Sequence, residues 1–160
     1  MKVLIAASEY HRGGGFPRHA AQLATALKSR GHEVTVCTRR FERTDADDGI
    51  TFKQYKTWDL STLTQMATEP WALTRMFRRE LHGYDVGICV GMPCLAPVVL
   101  VGPGTHRAWY ETSKSRFGGG GALRRIIERF RPFHWTVMLW ERAMLLGRHP
   151  RLVIVSGEAG

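Results

Sequence analysis

The first forty residues restrict this chain more than any other part of it. Lys2–Ala7 is an apolar run of strand length, and a loop holding Gly13, Gly14 and Gly15 follows. Phe16, Ala20, Leu23, Ala24 and Leu27 then recur at steps of three and four, the mark of one helix face. Pro17 suits the first helical turn, where few N–H groups are needed. Gly31 suits the C′ position that ends the helix. Glu33-Val34-Thr35-Val36-Cys37-Thr38 reads as a second strand. Strand, glycine loop, helix and strand make a βαβ unit, with parallel strands and a right-handed crossover.

The same alternation continues more weakly. After a polar loop at Arg43–Asp48, Ile50–Tyr55 reads as a third strand. Trp71–Leu81 reads as a helix started by Pro70 and carrying Arg75, Arg78 and Arg79 on a basic face. Asp85–Val90, Val98–Val101 and Leu152–Val155 read as further strands. The fold class expected is α/β, a Rossmann-like and mostly parallel sheet with flanking helices. A chain of 160 residues holds one such domain and not two. The last strand has no helix after it before Gly160, so a truncated domain is expected.

Beyond residue 105 the texture changes. Gly118–Gly121 is a loop, and Ala122–Arg131 and Pro132–Leu146 read as helical pieces broken at Pro132. The second piece is apolar nearly all round. Between Thr105 and Arg151 there are ten Arg or Lys and three Glu, so most of the net charge of +9 lies there. Such a field attracts phosphate, nucleic acid or an anionic membrane.

Several function classes are excluded or weakened. The three cysteines, Cys37, Cys89 and Cys94, form no Cys-x-x-Cys pair, which argues against a disulfide framework and a structural zinc site. The seven histidines include no His-x-x-x-His or His-Glu-x-x-His, so no metal is expected. Lys2–Ala7 runs into Ser8-Glu9 too soon for a secretory signal. No stretch approaches the ~20 apolar residues of a membrane span. A cytoplasmic, non-integral protein is expected. Serine-hydrolase, Ser-x-x-Lys and P-loop patterns are missing from the sequence.

Candidate site residues follow from position. Gly14 and Gly15 stand where strand one meets helix one, at the carboxyl end of the sheet where ligands gather. A helix N-terminus there offers N–H groups and a positive dipole end to phosphate. Arg18, in the first turn, is placed to grip a phosphate or carboxylate. The plain alternatives are a surface turn and a solvated arginine. Thr105, His106 and Arg107 follow Gly102-Pro103-Gly104 at the end of a predicted strand, a place from which side chains meet substrate, although a lone histidine is more often structural. Arg124, Arg125, Arg129 and Arg131 are interleaved with Phe130, Phe133 and Trp135. That mixture suits an anionic membrane surface, with core packing and single-stranded nucleic acid as the other readings. No nucleic-acid motif accompanies it, so no nucleic-acid partner is expected.

A dinucleotide site is an alternative reading of the glycine loop. Gly13-x-Gly15-x-x is followed by Arg18 where the third glycine belongs. Arg39-Arg40 after strand two would take the 2′-phosphate of NADP, which keeps an NADP-binding oxidoreductase as an alternative.

Gly14-Gly15-Phe16-Pro17-Arg18, Leu23-Ala24-Thr25-Ala26-Leu27 and Arg30-Gly31-His32-Glu33-Val34-Thr35-Val36 together resemble the opening of retaining GT-B glycosyltransferases of the family 4 type. Gly91-Met92-Pro93, Gly102 to Trp109, Pro132-Phe133-His134 and Leu139-Trp140-Glu141-Arg142 are similar to the lipopolysaccharide-core glucosyltransferase-like branch. The resemblance implies an N-terminal, acceptor-side domain, with the donor-binding C-terminal domain absent. It implies transfer of a hexose from a nucleotide-sugar, a UDP-sugar, to a glycolipid or lipopolysaccharide-core acceptor, with no other cofactor. Gly14, Gly15 and Arg18 would border the cleft, and His106 and Arg107 would meet the reacting sugars or acceptor phosphates. The basic insert would rest on the inner face of the cytoplasmic membrane, and a C-terminal domain or second chain would be needed. Two departures stand out. Pro103 replaces the acidic residue usual between the glycines before His106-Arg107, and no Glu-x7-Glu pair is present. A non-catalytic remnant that binds membrane or glycan is therefore a further alternative.

Overall fold

A computed structural model of the chain describes residues 1–57, 62–91, 94–101, 135, 138–140, 142–143 and 152–155. The βαβ unit forms as the sequence specifies: β1 (Lys2–Ala7), α1 (Gly15–Ser29) and β3 (Glu33–Thr38), with β1 and β3 parallel and Val3 opposite Val34. Between and after these lie two short strands not anticipated from the sequence, β2 (Glu9–Tyr10) and β4 (Arg40–Phe41). They pair with each other in parallel and continue the β1–β3 pairing past a bend at Ser8 and Arg39. The bend is held by the Thr38 hydroxyl, which lies 3.1 Å from the Ser8 carbonyl and 2.9 Å from that of Arg40.

The main sheet is completed by β5 (Thr51–Gln54), β6 (Val86–Val90), β7 (Val98–Val101) and β8 (Leu152–Val155). Its six strands run in the order β5-β3-β1-β6-β7-β8, and every pairing in it is parallel. Parallel sheets are covered on both faces, and β1 is built for that. Val3, Ile5 and Ala7 enter the cluster that holds Ala20, Ala21 and Ala24 of α1, while Leu4 and Ala6 enter the cluster around Leu73 and Phe77 on the opposite face. Alternation with period two thus serves two cores. The three cysteines are free and buried on the Leu73–Phe77 side, and burial pushes the Cys37 thiol up to about 12.

Three sequence expectations need correction. The second helix, α2, spans Thr62–Leu81, so Pro70 lies inside it and does not start it. Proline removes one helical hydrogen bond, but Pro70 is buried and its neighbour Glu69 is fixed by Ser8 and Tyr55, which hold that turn in place. The basic face is as expected: Arg75, Arg78 and Arg79 are exposed, and Arg75 stacks over the exposed Trp71 ring at 5.4 Å. The polar loop at 43–48 contains a turn of 3-10 helix, Asp45–Asp47, because Asp47 binds back to Thr44. Phe16, assigned to the buried face of α1, is 39% exposed, for a reason that belongs to the site.

The end of α1 is a Schellman motif. His32 N–H donates to Leu27 O at 3.2 Å, Gly31 N–H donates to Lys28 O at 2.9 Å, and Gly31 has φ of 80°. Only glycine adopts that backbone without a Cβ penalty. Gly31→Ala is expected to cost about 1 kcal/mol, read as a lower urea midpoint with an unchanged slope.

Candidate functional site

The direction in which strands are added reverses between β1 and β6. In open α/β sheets the crevice at such a switch point, outside the carboxyl ends of the strands, is where ligands bind. Two loops border it here, the glycine loop after β1 and β2 and the turn at Gly91 after β6. Phe16 joins them. A Cβ placed on Gly91 would stand 2.2 Å from Phe16 Cγ, so the ring lies flush against the Gly91 backbone. That contact explains why an apolar residue predicted for the core sits near the surface.

The start of α1 is uncapped by any side chain: Gly14 is its N-cap, and the first turn carries no acidic residue. A helix leaves its first amides unpaired; Pro17 has none to offer, so those of Gly14, Gly15 and Phe16 remain. A Cβ on Gly14 would meet nothing within 4 Å, so the space beside that backbone is open. Unpaired amides, the dipole's positive end and open space together suit a phosphate. Arg18 is exposed one turn in and makes no ion pair or hydrogen bond among the described residues, which leaves its guanidinium available.

Both residues leading into the loop are anchored. Arg12 Nη2 donates to Asp47 Oδ1 at 3.1 Å, and its Nε donates to Thr44 Oγ1 at 3.1 Å. The Tyr10 hydroxyl donates to the same Asp47 oxygen at 2.6 Å. Burial alone would raise the Asp47 pKa. Hydrogen bonds from Tyr10 and Thr44 and the Arg12 charge outweigh it and hold the carboxyl below its ordinary range. Burial, and then the Asp47 carboxylate, push the Tyr10 hydroxyl up, so it stays a donor.

On the other side, His11 Nδ1 accepts from Gly13 N–H at 3.1 Å, and His11 Nε2 lies 3.7 Å from Glu9 Oε2. Glu9 Oε1 in turn accepts from Arg39 Nη2 at 2.7 Å, and Arg39 Nε lies 3.6 Å from Glu69 Oε1. Arg39, a candidate for an NADP 2′-phosphate in the sequence, is therefore held between two carboxylates with its side chain 11% exposed. Of that pair only Arg40, on β4, is exposed.

The structure thus brings Gly14, Gly15 and Arg18 together at the switch point. Thr105, His106, Arg107, Arg124, Arg125, Arg129 and Arg131 lie outside the described residues. Trp135 is helical and 59% exposed, with Leu139 63% exposed nearby in sequence. Among the described residues no cluster of three or more His, Cys, Asp or Glu suits a metal ion, and no helix is long and apolar enough to cross a membrane. Sequence reasoning missed Asp47, Glu69 and the Phe16–Gly91 contact. Thr44-x-x-Asp47 carried a capping signal that pointed to the first; Glu69 had no local signal at all.

Comparison with known proteins adds three findings. Residues 13–159 match the model of Glycosyltransferase Family 4. No curated protein matches the chain. Among solved structures the fold is similar to that of WaaG, a glycosyltransferase involved in lipopolysaccharide biosynthesis, with a TM-score of 0.65 and 20% sequence identity. The match covers 94% of this chain and 37% of WaaG, so the chain spans little more than a third of that protein's length.

Proposed function

The chain belongs to glycosyltransferase family 4, and from that membership we propose that it is the acceptor-side, N-terminal half of a retaining GT-B hexosyltransferase. It works with a donor-binding half, carried by a C-terminal domain or a second chain. The donor is a nucleotide-sugar, a UDP-sugar, and the acceptor is a glycolipid of the lipopolysaccharide-core type; no further cofactor takes part. The observation that carries this reading is the uncapped, glycine-lined start of α1 at the β1–β6 switch point. The likeness to WaaG, itself involved in lipopolysaccharide biosynthesis, supports the acceptor class.

The chemistry required is modest. Transfer with retention needs stabilisation of the departing nucleotide diphosphate and an acceptor hydroxyl held close to the anomeric carbon. The amides of Gly14, Gly15 and Phe16, with Arg18, direct positive charge at phosphate oxygens without reorganisation. Closure of two halves over the crevice supplies proximity and excludes water. His106 and Arg107 contact the reacting sugars or the acceptor's phosphates, with Thr105 beside them. Arg124, Arg125, Arg129, Arg131 and Trp135 seat the enzyme on the anionic inner face of the membrane, where a lipid acceptor lies. The exposure of Trp135 supports that seat.

Gly14 provides a test. A Cβ there touches nothing, but its φ of 159° and ψ of 170° are a backbone conformation that side-chain-bearing residues rarely adopt. Gly14→Ala should therefore cost about 1–3 kcal/mol of stability, which a urea midpoint reads separately, while crowding the phosphate position. With the chain joined to the donor-binding half of a family 4 transferase, UDP release from a UDP-sugar should depend on added lipopolysaccharide-core acceptor. Gly14→Ala should lower that release by about 10²-fold. Release that ignores the acceptor would sink the transfer reading, and an unaffected variant would remove the glycine loop from it.

A further inference from the structure

Glu69 lies on α2, 61 residues from Ser8 in sequence, and is 4% exposed. Its Oε1 accepts from the Ser8 hydroxyl at 2.6 Å and from the Tyr55 hydroxyl at 2.8 Å, with Arg39 Nε at 3.6 Å. Burying a carboxylate and a guanidinium costs several kcal/mol, and apolar replacements of such pairs are often neutral or better. Core packing therefore gives no reason for an ionic group at this place. What the group connects to does. From Glu69 the contacts pass through Arg39 to Glu9, from Glu9 to His11, and from His11 Nδ1 to the Gly13 amide. Carboxylate, guanidinium, carboxylate and imidazole follow one another from the heart of α2 to the first glycine of the loop.

The end of this chain fixes a tautomer. Because Nδ1 accepts the Gly13 N–H, it carries no proton, so Nε2 carries one and turns it toward the Glu9 carboxylate. We propose that Glu69 and Glu9 are positioning residues, Glu9 acting directly on His11 and Glu69 through Arg39 and Glu9, which hold His11 as its Nε2–H tautomer and so set the Gly13 end of the glycine loop. Burial and the Glu69 carboxylate keep the Tyr55 hydroxyl protonated, so it remains a donor to Glu69. The inference deepens the reading of the loop as the phosphate-facing element and rests on that reading only for what the loop binds.

The test needs no ligand. In the 160-residue chain, the imidazole nitrogen shifts of His11 report the tautomer, and exchange of the Gly13 amide reports its bond to Nδ1. Glu9→Gln and Glu69→Gln are each expected to move His11 toward a mixture of tautomers. They should also speed Gly13 exchange by about tenfold, the factor one net hydrogen bond is worth. Glu33→Gln, which alters only an exposed pair with Lys2, should change neither signal. Wild-type His11 shifts and wild-type Gly13 exchange in Glu9→Gln would overturn the proposal, as would an effect of the same size in Glu33→Gln. Should Glu69→Gln fail to fold, Glu9→Gln decides alone, since its side chain is one-third exposed and carries little packing. A loop that responds to Glu9 but fails the transfer assay would keep this inference and remove the functional reading. The reverse pair of results would do the opposite.

Discussion

Gly91→Ala is expected to destabilise the protein by about 2–5 kcal/mol. Two costs combine. Gly91 has φ of 73°, a region that charges a residue bearing a Cβ about 1–2 kcal/mol. The added methyl would also stand 2.2 Å from Phe16 Cγ and 2.6 Å from Phe16 Cβ. A ring can rotate away, but Phe16 Cβ moves only if the start of α1 moves, and overpacking of this kind costs about 1–3 kcal/mol. Gly91 has little freedom of its own, because its N–H donates to the Leu100 carbonyl at 3.0 Å. Urea unfolding of Gly91→Ala, Phe16→Ala and the double variant separates the ring's share of the steric cost from the rest. Alanine at 16 removes the Cγ and Cδ1 contacts and keeps the Cβ. It should return the ring's share and leave the Cβ clash and the backbone part, so the double variant should be less damaged than the sum of the singles. Strict additivity would mean that Phe16 does not bridge the two loops.

The same contact shows where sequence reasoning reaches its limit. The β1–α1–β3 unit was legible because its signals are local: an apolar run, steps of three and four, and a glycine at C′. The placement of Gly14, Gly15 and Arg18 at the carboxyl end of the sheet followed from that unit alone. Phe16 fitted the helical periodicity and was assigned to the core, yet its partner is Gly91, 75 positions later, and no local pattern encodes that pairing. Proline favours first turns, so the sequence places a helix start at Pro70. The helix runs through it because Glu69, one residue before, is fastened to β1 and β5 neighbours distant in sequence. The strands β2 and β4 were missed because two-residue elements carry no periodicity. They are nonetheless what brings Tyr10, His11 and Arg12 to the mouth of the site. The acidic partners Asp47 and Glu69 were invisible for the same reason: a buried carboxylate looks like a surface one until its donors are in view.

Asp47→Ala is expected to cost about 2–4 kcal/mol. Asp47 is 2% exposed and receives four hydrogen bonds, from the Tyr10 hydroxyl, Arg12 Nη2, and the N–H and hydroxyl of Thr44. Its loss leaves the fully buried Tyr10 hydroxyl without its acceptor, a penalty of about 1–3 kcal/mol. It also removes the capping interaction of the 3-10 turn, worth about 1 kcal/mol. Arg12 adds little, because its side chain is 42% exposed and water replaces the carboxylate. The lowered pKa of Asp47 gives the effect a direction in pH. A carboxyl with a folded pKa below its unfolded value contributes stability that is complete above the ordinary Asp value of about 3.9 and is lost as pH falls through the folded value. Stability of the parent should therefore fall on acidification across that window, and Asp47→Asn, which cannot titrate there, should fall less steeply. Urea midpoints measured between neutral and acid pH test this. Parallel curves for parent and Asp47→Asn would mean that the carboxylate is not ionised at the heart of the Tyr10–Arg12 cluster, and the anchoring of the glycine loop through Arg12 would lose its electrostatic basis.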